Sequence, residues 1–137
     1  MTNYCEMIKT YLDEKDRMYK IRENEDYTVF AIPVDAKNTP GMLIDLYIEN
    51  NGIAKIRCYL CRGVEMEKKT DILRILNELN VTYRYVTFSL DKDMDIAVSY
   101  DFNLTGDDIT GITFDMLKVC SSIVDEAIPH LAKALWN

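Results

Sequence analysis

Residues 42–62 constrain this chain more than any other stretch. Met42, Ile44, Leu46 and Ile48 alternate along one segment, and Ile56, Cys58 and Leu60 along the next. A period of two predicts strands at 42–49 and 53–62. Partners across a hairpin must lie on the same face, so the loop length follows from the pattern. A two-residue Asn51-Gly52 turn would set Ile48 against Lys55. A three-residue loop, Asn50-Asn51-Gly52, sets Leu46 against Ile56 and Ile44 against Cys58. It also places Gly52 at the left-handed position that such loops need. On the other face Asp45 then stands opposite Arg57, an opposite-charge pair that contributes about 0.2–1 kcal/mol.

The flanking segments divide by period. Tyr4, Ile8, Tyr11 and Leu12 form one helical stripe within 2–15, with Thr2 or Asn3 as cap and Glu6 in the first turn. MYKIR and YTVFAIPV read as strands on either side of an ENED turn. Pro33 has no N–H to give a ladder, so that strand ends there or runs along an edge. DAKNTPG (35–41) is a loop. Ile72, Leu73, Ile75, Leu76 and Leu79 predict a helix over 67–80, with Thr70 as a candidate cap. Val86, Phe88 and Leu90 then face Ile96, Val98 and Tyr100 across the turn DKDMD. Asp107 and Asp108 suit a helix entry, and from about residue 110 a long helix runs on with Pro129 inside it. The predicted order is α–ββββ–α–ββ–α over one domain, 1–137. This is an α+β fold, with helices packed on one face of an antiparallel sheet.

Charge narrows the function. The 137 residues hold 16 Lys and Arg against 23 Asp and Glu, a net charge of −7. The basic residues are scattered, and the run from Lys15 to Arg22 is interrupted by Asp16 and bracketed by Glu14 and Glu23. No basic stripe is present to displace counterions from a phosphate backbone, so no nucleic-acid partner is expected. An anionic membrane surface is disfavoured for the same reason. No apolar run approaches the roughly 20 residues of a membrane span, and the first residues do not read as a signal peptide. A cytoplasmic location is expected, with the four cysteines as free thiols.

Three patterns invite a chemical reading. Cys58 and Cys61 form C-Y-L-C, which suggests a redox dithiol or half a zinc site. A zinc site needs two more ligands, and His130 is the single histidine. On a strand, residues three apart point to opposite faces, so Cys58 is expected in the core and Cys61 outside. Asp91, Asp93 and Asp95 open like a calcium loop, but Ile96 replaces the required Gly and Phe102 the required Glu. An Asp-rich turn that bonds its own backbone explains them. His130 has Glu126 one helical turn before it and no further partner from which to build catalysis. No phosphate loop, nucleophile triad or metal-ligand spacing stands out. The chain is expected to be no enzyme and to carry no cofactor or metal.

The nine tyrosines say more. If the apolar alternation marks the core face, then Tyr47, Tyr59, Tyr83 and Tyr85 lie opposite it, together with Leu43, Phe30 and Ile32. Asp45, Lys55 and Arg57 are interleaved among them. A sheet covered by helices on one side can leave the other in water. Aromatic residues mixed with Arg are the composition of protein interfaces. Tyr47, Tyr59, Tyr83, Tyr85, Leu43 and Arg57 are therefore the candidate partner-binding residues. Tyrosine also suits strands and can stand exposed singly. Two functions remain open: a module that dimerises and holds a protein partner, and a small-molecule sensor with its ligand between the last helix and the sheet.

Leu76-Asn77 and Leu79-Asn80 are paired Leu-Asn steps at the end of the middle helix, Phe88-Ser89-Leu90-Asp91 leads the next strand into an acidic turn, and Val124-Asp125 precedes Pro129 in the final helix. With the element order, these residues resemble the YbjN-like family, assigned to bacterial sensory-transduction regulation. The family usually carries Gly in the acidic turn, where Met94 and Asp95 stand here. The resemblance spans nearly the whole chain. It implies a type III secretion chaperone-like fold and a cytosolic, non-enzymatic interaction domain, often self-associating. It supplies no catalytic residues.

Overall fold

A computed structural model describes residues 1–136. The chain runs α1 (Asn3–Glu14), β1 (Lys20–Glu23), β2 (Tyr27–Val34), β3 (Met42–Glu49), β4 (Ile53–Cys61), α2 (Lys69–Thr82), β5 (Thr87–Leu90), β6 (Ile96–Asn103) and α3 (Ile109–Leu135). This is the expected α+β order. The six strands form one sheet in the order β1-β2-β3-β4-β6-β5, and every neighbouring pair is antiparallel. The β3–β4 hairpin has the register that its alternation requires, with Leu46 opposite Ile56 and Asp45 opposite Arg57. Gly52 takes φ +86°, which an L side chain rarely adopts.

One apolar core fixes which face is which. Its helical part comes from Cys5, Ile8 and Leu12 of α1, from Ile72, Leu76 and Leu79 of α2, and from Leu117, Val124 and Leu131 of α3. All join the same cluster as Ile44, Leu46 and Ile56 of the sheet. The three helices therefore share one face. Phe30 and Ile32 belong to this covered face as well, against the expectation from alternation. They pair with Leu46 and Ile44, and both are fully buried. YTVFAIPV is apolar in both phases, so its own pattern does not choose a face; its neighbour in the sheet does.

Two of the polar marker residues, Asp125 and Asn80, act as clamps. Pro129 lacks an N–H, so the Asp125 carbonyl four residues earlier loses its helical partner. Asn38 Nδ2 donates to that carbonyl at 3.1 Å. The Asp125 carboxylate accepts from the Asn38 N–H at 2.7 Å and from the Thr39 hydroxyl at 3.0 Å. Asp125 and Pro129 together pin the β2–β3 loop to α3. Asn80, at the end of α2, acts on β5 in the same way. Its amide donates to the Phe88 carbonyl at 3.0 Å, and its side-chain oxygen accepts from the Phe88 N–H at 2.7 Å. An edge strand of four residues thus has part of its free side closed by a side chain.

Local details depart from the sequence pattern. Thr70 lies inside α2 and does not cap it. A 3₁₀ turn, Met66–Lys68, feeds directly into the helix, and Lys68 stands at the cap position without a capping side chain. Thr2 does cap α1, accepting from the Cys5 N–H at 3.3 Å. Asp108 caps α3, accepting from the Gly111 N–H at 2.9 Å. β4 shifts register between Tyr59 and Cys61. The bulge breaks the alternation, so Cys61 pairs with Ile96 and packs against the core instead of pointing outward.

Candidate functional site

The face of the sheet away from the helices is built by strand alternation. β3 turns Leu43, Asp45, Tyr47 and Glu49 outward, and β4 turns out Lys55, Arg57 and Tyr59. Among the described residues no helix covers them. Leu43 is 53% exposed and Tyr59 41%, while Tyr47 is half-buried. The Tyr47 ring lies 5.3 Å from that of Tyr27 on β2. Beneath this pair, Val29 is only 1% exposed although it lies outside the main core, flanked across its two ladders by Arg22 and Tyr47. The outer face therefore has a small apolar floor of its own.

Its charges are individually held. Arg57 stands opposite Asp45, but its guanidinium bonds Asp101 of β6 at 2.6 Å instead. Lys55 pairs with Glu49 at 3.4 Å. The Arg62 guanidinium lies 4.0 Å above the Tyr59 ring and donates to Asp95 at 3.2 Å. These contacts fix long side chains before any partner arrives, which lowers the ordering cost of binding.

Tyr83 and Tyr85 do not belong to this surface. The strand expected from residue 83 begins only at Thr87, so the two-residue alternation does not extend back to them. Tyr83 follows α2, and its ring lies 6.3 Å from Phe88 on the covered side. Burial raises its phenol pKa, and the Glu126 charge raises it further. Tyr85 takes φ +72° and sets its ring edge-on to Tyr100 at 5.8 Å. Tyr100 pairs with Ile56 and in turn stacks on Phe102, so this aromatic group lies on the helix side. Of the six candidate residues, the structure brings together Leu43, Tyr47, Arg57 and Tyr59. Tyr27, Val29 and Arg62 were not anticipated. The signal for Tyr27 and Val29 was available, because both share the phase of YTVFAIPV opposite to Phe30.

The other candidates are committed elsewhere. The Asp91, Asp93 and Asp95 oxygens lie within 4.8 Å of one another. One Asp91 oxygen accepts from the N–H groups of Asp93 and Asp95 at 2.9 and 3.0 Å. Asp95 is buried and accepts from the Gly63 N–H at 2.8 Å, tying the β4–α2 loop to this turn. Met94 takes the left-handed conformation there, φ +62°. All four cysteines are free thiols. Burial pushes Cys58 up to about 11, and the Asp45 carboxylate adds to the rise. Burial pushes Cys120 up to about 12, with Cys58 adding to it. Cys61 is raised too, by burial first and then by Asp95. None of these three has the lowered pKa of a reactive thiol. His130 is exposed on α3. A cleft of about 640 Å³ lies where α3 and α1 meet β2.

No helix among the described residues is long and apolar enough to cross a membrane. A family profile described as "Putative bacterial sensory transduction regulator", YbjN, matches residues 4–133. Two solved structures share the fold. One is YbjN from E. coli, titled a putative transcription regulator. It matches with TM-score 0.66 and 11% identity, over 95% of this chain and 91% of its own. The other is an uncharacterized protein from Methanothermobacter thermautotrophicus, with TM-score 0.58 and 19% identity, over 97% and 94% of the two chains. No curated protein matches.

Proposed function

The chain belongs to the YbjN family, and from that premise we propose that it is a non-catalytic regulatory domain that holds a protein partner on the uncovered face of its sheet. The carrying observation is the contrast within that face. Leu43 and Tyr59 are exposed, yet the face they belong to holds ordered ion pairs and, opposite Tyr47, a buried Val29. Single exposed apolar side chains are ordinary on a soluble protein. Preordered Tyr and Arg side chains are the composition of binding hot spots. A protein partner suits this surface better than a nucleic acid. Lys55, Arg57 and Arg62 already have carboxylate partners, so few free cations remain to displace counterions from phosphates. Four cysteines without a disulfide suit the reducing cytoplasm, where we place the protein.

A second copy of the chain is the partner that can be assayed at once. Light scattering after size exclusion should show dimers for the parent protein. A Tyr47→Asp/Tyr59→Asp double variant should be monomeric and still unfold in one cooperative transition, at a lower temperature because Tyr47 packs on Tyr27 and flanks the buried Val29. An unchanged association state in that variant would remove the sheet face as the binding surface.

A further inference from the structure

We infer that the cleft between α1, α3 and β2 binds a small organic anion with an aromatic or other apolar body. Its volume, about 640 Å³, lies in the range of small-molecule sites. The opening follows from strand length. β1 covers β2 only from Thr28 to Ala31, so Ile32 and Val34 run on without a strand beside them on that side. Ile32 and Leu117, both nearly fully buried, form an apolar floor. Tyr11 of α1 and Phe114 of α3 form a wall, with their rings stacked at 4.1 Å and 19°.

The rim carries the charge. Lys15, Arg17 and Lys118 line the cleft against a single carboxylate, Asp115. In a chain with a net charge of −7, three cations gathered on one opening run against the overall balance. None of the three takes part in an ion pair among the described residues, whereas the sheet-face cations Lys55, Arg57 and Arg62 all do. Lys15 Nζ lies 5.7 Å from the centre of the Tyr11 ring, so the aromatic wall and the charge adjoin.

The backbone holds two of these cations in place. α1 ends in a Schellman turn: the Arg17 N–H donates to the Leu12 carbonyl at 2.9 Å, and the Asp16 N–H to the Asp13 carbonyl at 3.2 Å. Asp16 takes the left-handed position, φ +51°, that glycine usually fills. The turn reverses the chain so that Lys15 and Arg17 both reach the opening. Ser121, also in the lining, donates its hydroxyl to the Lys118 carbonyl at 3.1 Å, which leaves the floor without an orphan polar group. An apolar body on the floor and an acidic group at the rim would satisfy both parts of the cleft. A carboxylate, sulfonate or phosphate would serve at the rim.

The test uses anilinonaphthalenesulfonate, an aromatic anion whose fluorescence reports binding, and phenylnaphthylamine, its uncharged counterpart. The sulfonate should bind the folded protein saturably at one site per chain. Arg17→Glu/Lys118→Glu should weaken it by roughly tenfold or more, since both side chains are exposed and their reversal leaves the core intact. Phenylnaphthylamine should be indifferent to that change. Lys20→Glu/Arg22→Glu, on the β1 edge, should leave the sulfonate's affinity unchanged. Should the double glutamate variant unfold at a lower temperature, Arg17→Gln/Lys118→Gln takes its place, with a smaller loss expected. Absence of saturable binding overturns the inference. So does binding indifferent to Arg17 and Lys118, or weakened equally by the Lys20 and Arg22 changes. Neither result touches the sheet face, whose association is measured separately.

Discussion

The two faces of the β3 strand differ by one residue step and by almost everything else. Met42, Ile44, Leu46 and Ile48 are buried under the helices. Leu43 is 53% exposed, and Asp45, Tyr47 and Glu49 are half-buried on a side that no helix reaches among the described residues. The covered set is wholly apolar, whereas the open set mixes Leu43 and Tyr47 with two carboxylates. The difference lies in what each side chain leaves when it is removed. On the covered face it leaves a cavity, and on the open face it leaves water. The covered face therefore carries stability, and the open face is free to carry recognition.

That division predicts its largest consequence at neighbouring positions. Ile44→Ala should lower the unfolding free energy by about 2–5 kcal/mol. Leu43→Ala should change it by no more than about 0.5 kcal/mol. Urea denaturation of the two variants reads both values. Comparable losses would mean that the open face is covered in solution, most simply by a second copy of the chain.

The same strand shows why the fold was legible in the sequence and the site only half so. Strand β3 has one apolar phase and one mixed phase, so its face, its register against β4 and the glycine of its turn all follow from pattern. Strand β2 has two apolar phases. Its alternation could not say whether Phe30 or Val29 faces the helices, and only pairing with β3 decides. Tyr83 and Tyr85 were misplaced for another reason. A positive φ at Tyr85 is a tertiary outcome, since no glycine or asparagine marks the turn. Cys61 was misplaced by a bulge, which inserts a residue without a sequence signal. The cleft was invisible because it depends on where β1 stops and how α1 ends. Both are matters of length, not periodicity.

A second contrast sets the polar clamps against the apolar core. Asp125 accepts from the N–H of Asn38 and the hydroxyl of Thr39 across the long gap between α3 and the β2–β3 loop. Asp125→Ala should cost about 1–3 kcal/mol and loosen that loop, which leads into the exposed Leu43. Faster amide exchange at 35–41, with the rest of the sheet unaffected, is the expected signature. If exchange rises evenly over the molecule, the clamp is part of the global fold and not a local tether.

The thiols sharpen the comparison from within the covered face. Cys58 on β4 and Cys120 on α3 are raised to about 11 and about 12 by burial. A buried thiol whose folded pKa lies above its unfolded value near 9 adds nothing to any pH dependence below that value. As pH rises past 9, the unfolded state loses its proton first, so stability falls until the folded pKa is reached. The window is therefore pH 9–11 for Cys58 and 9–12 for Cys120. The expected slope is about 1 kcal/mol per pH unit for each thiol. Cys120→Ala should flatten the stability–pH curve above pH 9 by that amount, although it lowers stability at neutral pH. Below pH 9, iodoacetamide should modify the half-buried Cys61 before Cys58 and Cys120. Equal rates for the three would mean that the sheet opens readily under α3.

The smallest effect tests the division at its weakest point. Val29 faces the open side yet is only 1% exposed, flanked by Arg22 and Tyr47 across its ladders. Its removal leaves a shallow space that side chains above it can partly fill. Val29→Ala should therefore cost about 1 kcal/mol, between the values for Ile44 and Leu43. The instructive measurement is its coupling to Tyr47→Ala in a double-mutant cycle. A coupling of about 0.5 kcal/mol or more in the monomer means that Tyr47 itself keeps Val29 dry. The tyrosine is then held in place by the fold before any partner arrives. No coupling in the monomer, with coupling restored at concentrations where dimers form, assigns the burial of Val29 to a second chain.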